Sequence, residues 1–232
     1  MDLVIFLNNI FKQLTKGNLK PISNVRYYKR WKKYKHRNSI ADELPWLTFR
    51  AIDFLKDNLP RDAKIFEWGG GGSTLFFIPR ASELVTAEHD KEWFERLSAI
   101  VKERHIQTWN GKLFGPEPVE KNQQQLSLSD PSHYYSSIDK TFKQYVTFID
   151  QFPDEYFDLI LVDGRARASC VEHSFSKLKT GGLLVLDNAE RKYYTEAHKR
   201  TLTSAYKLLV NTFGPIPFTE GFSQTNIWRK LS

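Results

Sequence analysis

The stretch from Ile65 to Phe77, IFEWGGGGSTLFF, sets four consecutive glycines between two apolar runs. Glycine in that number weakens a helix or a strand, so the backbone here must turn tightly or lie against something. Glycines between a strand and a helix open the carboxyl edge of a sheet to a ligand, beside a helix N-terminus. The local wording narrows the ligand. A dinucleotide fingerprint requires G-x-G-x-x-G/A, but counting from Gly69 or Gly70 the last position is Thr74 or Leu75. A P-loop requires Gly-Lys-Ser/Thr, and the stretch contains no lysine. What stands here is Glu67, two residues ahead of the first glycine. A carboxylate at that point repels pyrophosphate and suits a ligand that carries an ammonium and a sulfonium. Glu88, 21 residues further on, ends the next apolar run, where an acid can accept both hydroxyls of a ribose.

Outward from the glycines, strand and helix patterns alternate. Strands are expected at Ile65-Phe66, Leu84–Ala87, Ile106–Trp109, within YFDLILVDG and within LLVLDN. Helices are expected over Pro45–Leu59, Asp90–Glu103, Thr141–Phe152, Arg165–Leu178 and Tyr194–Leu209, with a turn at Gly181-Gly182 and an edge strand at Thr225–Arg229. Near-continuous apolar runs in the middle strands predict a parallel sheet covered on both faces. Asn110–Lys140 is polar and aperiodic, and so long a connection is more often functional than idle.

The glycine cluster with both acids resembles the class I S-adenosylmethionine-dependent methyltransferases, over roughly residues 45–230. The resemblance implies an α/β Rossmann-like fold with a seven-stranded, mostly parallel sheet. It implies that Gly69, Gly70 and Gly71 line the amino-acid and ribose portion of the cofactor and that Glu88 binds the ribose. Glu67, Ser73, Thr74 and Asp163, with His89 near the adenine and Trp46 over the cofactor, are further cofactor-binding candidates. The series PWLTF, FEWGGGGSTLFF, AEHD, LVDGRAR and LVLDNAER also resembles a group of bacterial proteins described only as methyltransferases.

Asp163 ends the fourth strand and Asp187-Asn188 the fifth. This arrangement resembles the metal-dependent catechol-type O-methyltransferases. It implies Mg²⁺ held by Asp163, Asp187 and Asn188, lowering the pKa of an acceptor hydroxyl. The base of that family, a lysine three residues after the first Asp, is replaced by Ala166. The other reading is a metal-free site in which Asp163 or Asp187 is the base or anchor, or in which both are structural. Arg165 and Arg167 suit an anionic group on the substrate, and Asn188 and Tyr135 are further substrate-binding candidates. The expected reaction is methyl transfer to an oxygen of a small molecule or saccharide. The alternatives are a nicotinamide-dependent oxidoreductase and a non-enzymatic module that binds a nucleoside or RNA. Asp130-Pro131-Ser132-His133 does not match the [ND]-P-P-[YFW] signature of enzymes that methylate nucleobase amino groups, which counts against N-methylation of DNA bases, and nucleic acid is not the expected partner.

A chain of 232 residues with 41% hydrophobic and 14% aromatic residues is globular. Its single cysteine, Cys170, excludes an internal disulfide and a multi-cysteine zinc site. No signal peptide is evident, and a cytoplasmic location is expected. Arg26–Arg37 carries seven Lys/Arg and no acid, which accounts for the whole formal net charge of +7. Leu3, Phe6, Leu7, Ile10, Phe11 and Leu14 share one face of a helix ahead of it, broken by Gly17-Asn18 and Pro21. Residues 1–40 are therefore read as a helix with a basic arm, and 41–232 as the methyltransferase domain. Residues 3–37 suit an anionic membrane surface, at the inner face of the membrane. Two other uses are open, RNA gripped by the interleaved aromatics, and packing on the domain or on a second subunit in a homodimer.

Overall fold

A computed structural model describes residues 1–14, 20–119, 126–137 and 140–231, and the break expected at Gly17-Asn18 lies outside them. The first strands of the main sheet are β1 (Ala63–Trp68) and β2 (Ala81–Glu88), whose large apolar residues are buried, and β3 (Trp109–Leu113), which is short and largely exposed. Three short strands follow, β4 (Glu117–Pro118), β5 (Tyr135–Ser137) and β6 (Lys140–Thr141), and then β7 (Phe157–Val162), β8 (Leu178–Asp187), β9 (Tyr206–Pro215) and β10 (Phe222–Lys230). The helices are α1 (Asp2–Leu14), α2 (Tyr28–Tyr34), α3 (Ser39–Asp42), α4 (Phe49–Asn58) and α5 (Gly72–Phe77), followed by α6 (Lys91–Glu103), α7 (Lys143–Thr147), α8 (Arg167–Lys177) and α9 (Lys199–Ser204).

The main sheet has seven strands in the order β3-β2-β1-β7-β8-β10-β9. β10 runs antiparallel to both neighbours, and the β1, β2, β3, β7 and β8 pairings are parallel. Side-chain alternation divides the central strands between two cores. Ile65, Leu161 and Val185 face one side with Phe49 and Ile52 of α4. Phe66, Ile160 and Leu184 face the other with Tyr145 and Val171. The strand order reverses between β1 and β7, which puts a crevice at the carboxyl ends of those strands.

Several expectations are corrected. The helix expected over Tyr194–Leu209 shrinks to Lys199–Ser204, and Tyr206 already begins β9. Thr225–Arg229 is not at the edge: β10 lies between β8 and β9, and β9 is the strand at that edge. The third strand begins at Trp109, where it was expected to end. Within Asn110–Lys140 the chain forms a small sheet ordered β4-β6-β5 with the following residue, Thr141. The turn at Gly181-Gly182 is a kink inside β8, with Gly181 at φ 82° and a register jump between Phe157↔Leu178 and Leu159↔Leu183. The division at residue 40 does not separate two cores. Phe6, Ile10, Tyr27 and Trp31 belong to the same buried cluster as Phe49 and Ile227.

Candidate active site

A cavity of about 680 Å³ opens at the crevice, walled by the glycine turn, the ends of β2, β7 and β8, and the segment before β10. The turn itself is held by close approach. Gly69 has φ 95°, and a Cβ there would stand 3.0 Å from the carbonyl oxygen of Asp163 on the neighbouring loop. Gly71 has φ 155°, and its Cβ would meet the Trp93 indole at 2.9 Å. Trp93 Nε1 in turn donates to the Gly70 carbonyl at 2.5 Å. The bare backbone of Gly69–Gly72 forms part of the cavity wall.

Glu88, only 2% exposed, ends β2 beside this wall. Its Oε2 accepts from Gly70 N at 2.7 Å, and its Oε1 accepts from His89 N at 2.7 Å and Asp90 N at 2.8 Å. A carboxylate has about four acceptor positions, so these bonds fix its orientation and leave capacity for a ligand hydroxyl. His89 Nδ1 lies 2.8 Å from Glu88 Oε1, and its Nε2 accepts from Arg165 Nε at 3.0 Å. His89 and Arg165 both line the cavity.

Glu67 lies elsewhere. It is wholly buried and absent from the cavity wall. Its carboxylate accepts from Ser73 Oγ and Thr86 Oγ1, each at 2.8 Å, and from Thr74 Oγ1. Burial raises its pKa to about 7, against the lowering effect of those three hydroxyls. Glu67 therefore ties the first turn of α5 and the middle of β2 to β1, and it shapes the loop from beneath.

At the far side, Arg167 stands between the two aspartates. Its Nη2 donates to Asp163 Oδ1 at 3.0 Å and its Nη1 to the Asp187 carbonyl at 2.6 Å, 3.8 Å from Asp187 Oδ2. Its Nε donates to the Gly164 carbonyl at 3.0 Å. Asp187 Oδ1 accepts from Thr225 Oγ1 at 2.9 Å, and Thr225 Oγ1 accepts from Thr48 N at 3.0 Å. Burial pushes both aspartates up. The charges of Glu67 and Glu88 add to the rise at Asp163, the charge of Asp163 adds to it at Asp187, and Arg167 opposes it at both.

This donor set does not fit Mg²⁺. The position between the carboxylates, where the metal reading needs an ion, holds a guanidinium, and a divalent cation would have to displace a buried Arg. Asn188 Nδ2 donates to Ser223 Oγ at 2.8 Å. No group of three or more His, Cys, Asp or Glu able to hold a metal occurs among the described residues.

The structure thus gathers Gly69, Gly70, Gly71, Ser73, Glu88, His89, Asp163, Arg165, Arg167, Asp187, Asn188 and Trp46 around one cavity. Glu67, Thr74 and Tyr135 are outside its wall. Arg167, expected to bind substrate, has its nitrogens committed to protein oxygens. Sequence reasoning missed Trp93, Glu190, Arg191 and Thr219, which also line it. Trp93 carried a legible signal: it lies in the first turn of the helix that follows the β2 acid, N-capped by Asp90.

No family model matches the chain, and no curated protein does. Solved structures do. The cofactor-bound Rv0187 protein from MTB superposes with a TM-score of 0.53 at 17% identity, covering 83% of this chain and 85% of that one. A Streptococcus mutans protein described as a methyltransferase, in complex with SAH, gives 0.52 at 12% identity, covering 77% and 94%. The Escherichia coli yhhF protein, also described as a methyltransferase, gives 0.50 at 11%, covering 79% and 85%. At such identities the likeness is one of fold. The chain has the Rossmann-like fold of the class I S-adenosylmethionine-dependent methyltransferases.

Proposed function

We propose that this chain transfers a methyl group from S-adenosylmethionine to an oxygen of a small-molecule or saccharide acceptor that carries an anionic group. The observation that carries the reading is Glu88, a buried carboxylate oriented by three backbone N–H groups at the edge of the cavity, beside a glycine turn without side chains. Bound there, the cofactor supplies a methyl carbon made electrophilic by its sulfonium. The chain's own task is to hold the ribose side at Glu88, admit the cofactor against Gly69–Gly71, and orient the acceptor.

In this reading Asp163 takes the proton from the acceptor hydroxyl. It lines the cavity, its side chain is 18% exposed, and Arg167 engages its Oδ1. Asp187, at 5%, is more enclosed and is held by Thr225, so it serves as an anchor for Arg167. Arg165 and Arg191, both exposed and lining the cavity, suit a carboxylate or phosphate on the acceptor.

Calorimetric titration with S-adenosylhomocysteine and with NAD tests the reading. The wild-type chain is expected to bind the former and not the latter, and Glu88→Gln to weaken binding by about tenfold or more through loss of a charged acceptor. No heat with S-adenosylhomocysteine, or heat with NAD instead, overturns the proposal. Asp163→Asn is expected to keep cofactor binding and to lose transfer by about 10²–10⁴-fold, the usual contribution of a positioned base.

A further inference from the structure

We propose that α1 and α2 form a docking surface for an anionic lipid bilayer. The inference is independent of the chemistry at the cavity. It begins with an apolar arc on α1 that the rest of the chain only partly covers. Phe6 and Ile10 are buried, while Leu3, Val4 and Phe11 on the continuing arc are 49%, 60% and 60% exposed. At 100° per residue those three follow directly on the buried pair, so α1 has an apolar ridge turned outward.

The second half is charge. Across the 3₁₀ segment Lys20–Tyr27 and α2, the exposed positions include Ile22, Val25, Arg26, Lys29, Lys32 and Lys33. Within α2 the spacing puts Lys29, Lys32 and Lys33 on the side away from Trp31, which is buried as is Lys35 just beyond the helix. Three other basic residues of the arm are already paired: Arg30 with Asp53, Lys35 with Asp2 and Glu220, and Arg37 with Asp42. Arg26, Lys29, Lys32 and Lys33 have no ion pair among the described residues and face solvent. Asp2 is the one acid on α1, and α2 has none. Apolar side chains that can enter the acyl boundary, next to lysines whose heads stay with the headgroups, are what an anionic bilayer selects.

The same geometry disfavours the other occupants. RNA would need the arm's rings as stacking platforms, but Trp31 is wholly buried, Tyr27 is 7% exposed, and Tyr28 and Tyr34 are half-buried against the core. A second copy meeting this one through a two-fold contact would set one basic face against another. The surface also adjoins the cavity. Phe6 packs edge-on against Phe222 at 5.2 Å, and Phe222 lines the cavity wall.

The test is flotation of the full chain with vesicles of phosphatidylcholine alone and of phosphatidylcholine with phosphatidylglycerol. The wild-type chain is expected to float only with the second and to be released by added salt. The triple variant Lys29→Glu, Lys32→Glu, Lys33→Glu is expected to partition on the order of a hundredfold less, at about a fivefold loss per lysine removed. Phe11→Asp is expected to lose about tenfold or more. All four positions are exposed, and an unchanged melting temperature verifies that both variants remain folded. The proposal fails if wild-type chain stays at the bottom with both vesicles, or if the triple variant floats as well as wild type. It fails equally if the chain sediments as a dimer that Phe11→Asp dissociates, or if it binds single-stranded RNA in preference to the anionic vesicles.

Discussion

Glu67 stands two residues ahead of the glycines and yet does not line the cavity they wall. The difference lies in its neighbours' hydroxyls: Ser73, Thr74 and Thr86 all turn their O–H groups onto one buried carboxylate. A sequence shows that an acid belongs at this strand end, but not which way its χ angles send it. Burial raises its pKa to about 7 from 4.5. Between those values the native chain keeps a proton that the unfolded chain has lost, so stability falls as pH rises through this window and stays reduced above it. At 1.36 kcal/mol per pKa unit the loss is roughly 3 kcal/mol. Glu67→Gln is therefore expected to melt higher than wild type at pH about 8 and to lose most of that advantage at pH about 4.5, as read by thermal melts at both. A constant difference across that range would show that the carboxyl stays ionised when buried. Arg167 was harder to foresee, because its role depends on two strand ends lying side by side. With its guanidinium between Asp163 and Asp187, Mg²⁺ is expected to leave the wild-type melting temperature unchanged. Arg167→Met is expected to cost about 3–5 kcal/mol in denaturant unfolding, because it strands buried carboxylates. A melting temperature that climbs with Mg²⁺ would mean that the ion can replace the guanidinium.

Among elements, those with a clean period were legible and those fixed by partners were not. α1 and α6 show the helical stripe, and β1 and β7 the buried run, in the sequence itself. β9 does not: its exposed and buried residues fall irregularly, and its state is decided by pairing with β10 from Phe222↔Pro215 to Lys230↔Tyr206. The loops at the switch point are set by contacts that no periodicity encodes. A Cβ on Gly164 would come within 1.8 Å of the Tyr145 hydroxyl. That hydroxyl is buried without a hydrogen-bond partner of good geometry among the described residues, although the Arg165 backbone lies beside it, and it is therefore removable. Gly164→Ala is expected to destabilise by about 1–3 kcal/mol, as overpacking does. Tyr145→Phe is expected to recover much of that loss in the double variant, since it removes the atom in collision. Equilibrium unfolding of the four members of this cycle measures the coupling. Additive effects would mean that the β7–α8 loop moves aside and that the hydroxyl does not set its position.

For the whole molecule, the composition suggested a basic appendage in front of a balanced domain, and the charge count was right about where the basicity lies. It could not reveal that the aromatic residues between those charges point inward. Trp31 is fully buried, donates from Nε1 to the Thr219 carbonyl at 3.1 Å, and packs 5.2 Å from Phe6. Thr219 also lines the cavity, so the first helices and the site share a wall. A segment packed in this way should unfold with the sheet and not before it. Trp31→Ala is expected to cost about 3–5 kcal/mol, as large aromatic truncations in a core do. That loss should appear as a shift of one cooperative transition, followed both by far-UV ellipticity and by the fluorescence of the other tryptophans. Deleting residues 1–38 would strip Phe6, Ile10, Tyr27 and Trp31 from one cluster. Against a total stability of about 5–15 kcal/mol, this deletion is expected to prevent folding altogether. If Trp31→Ala instead produced an early, separate loss of helix and left the main transition unmoved, the N-terminal segment would be an autonomous arm after all. The single core drawn through Phe6, Phe49 and Ile227 would then have to be divided.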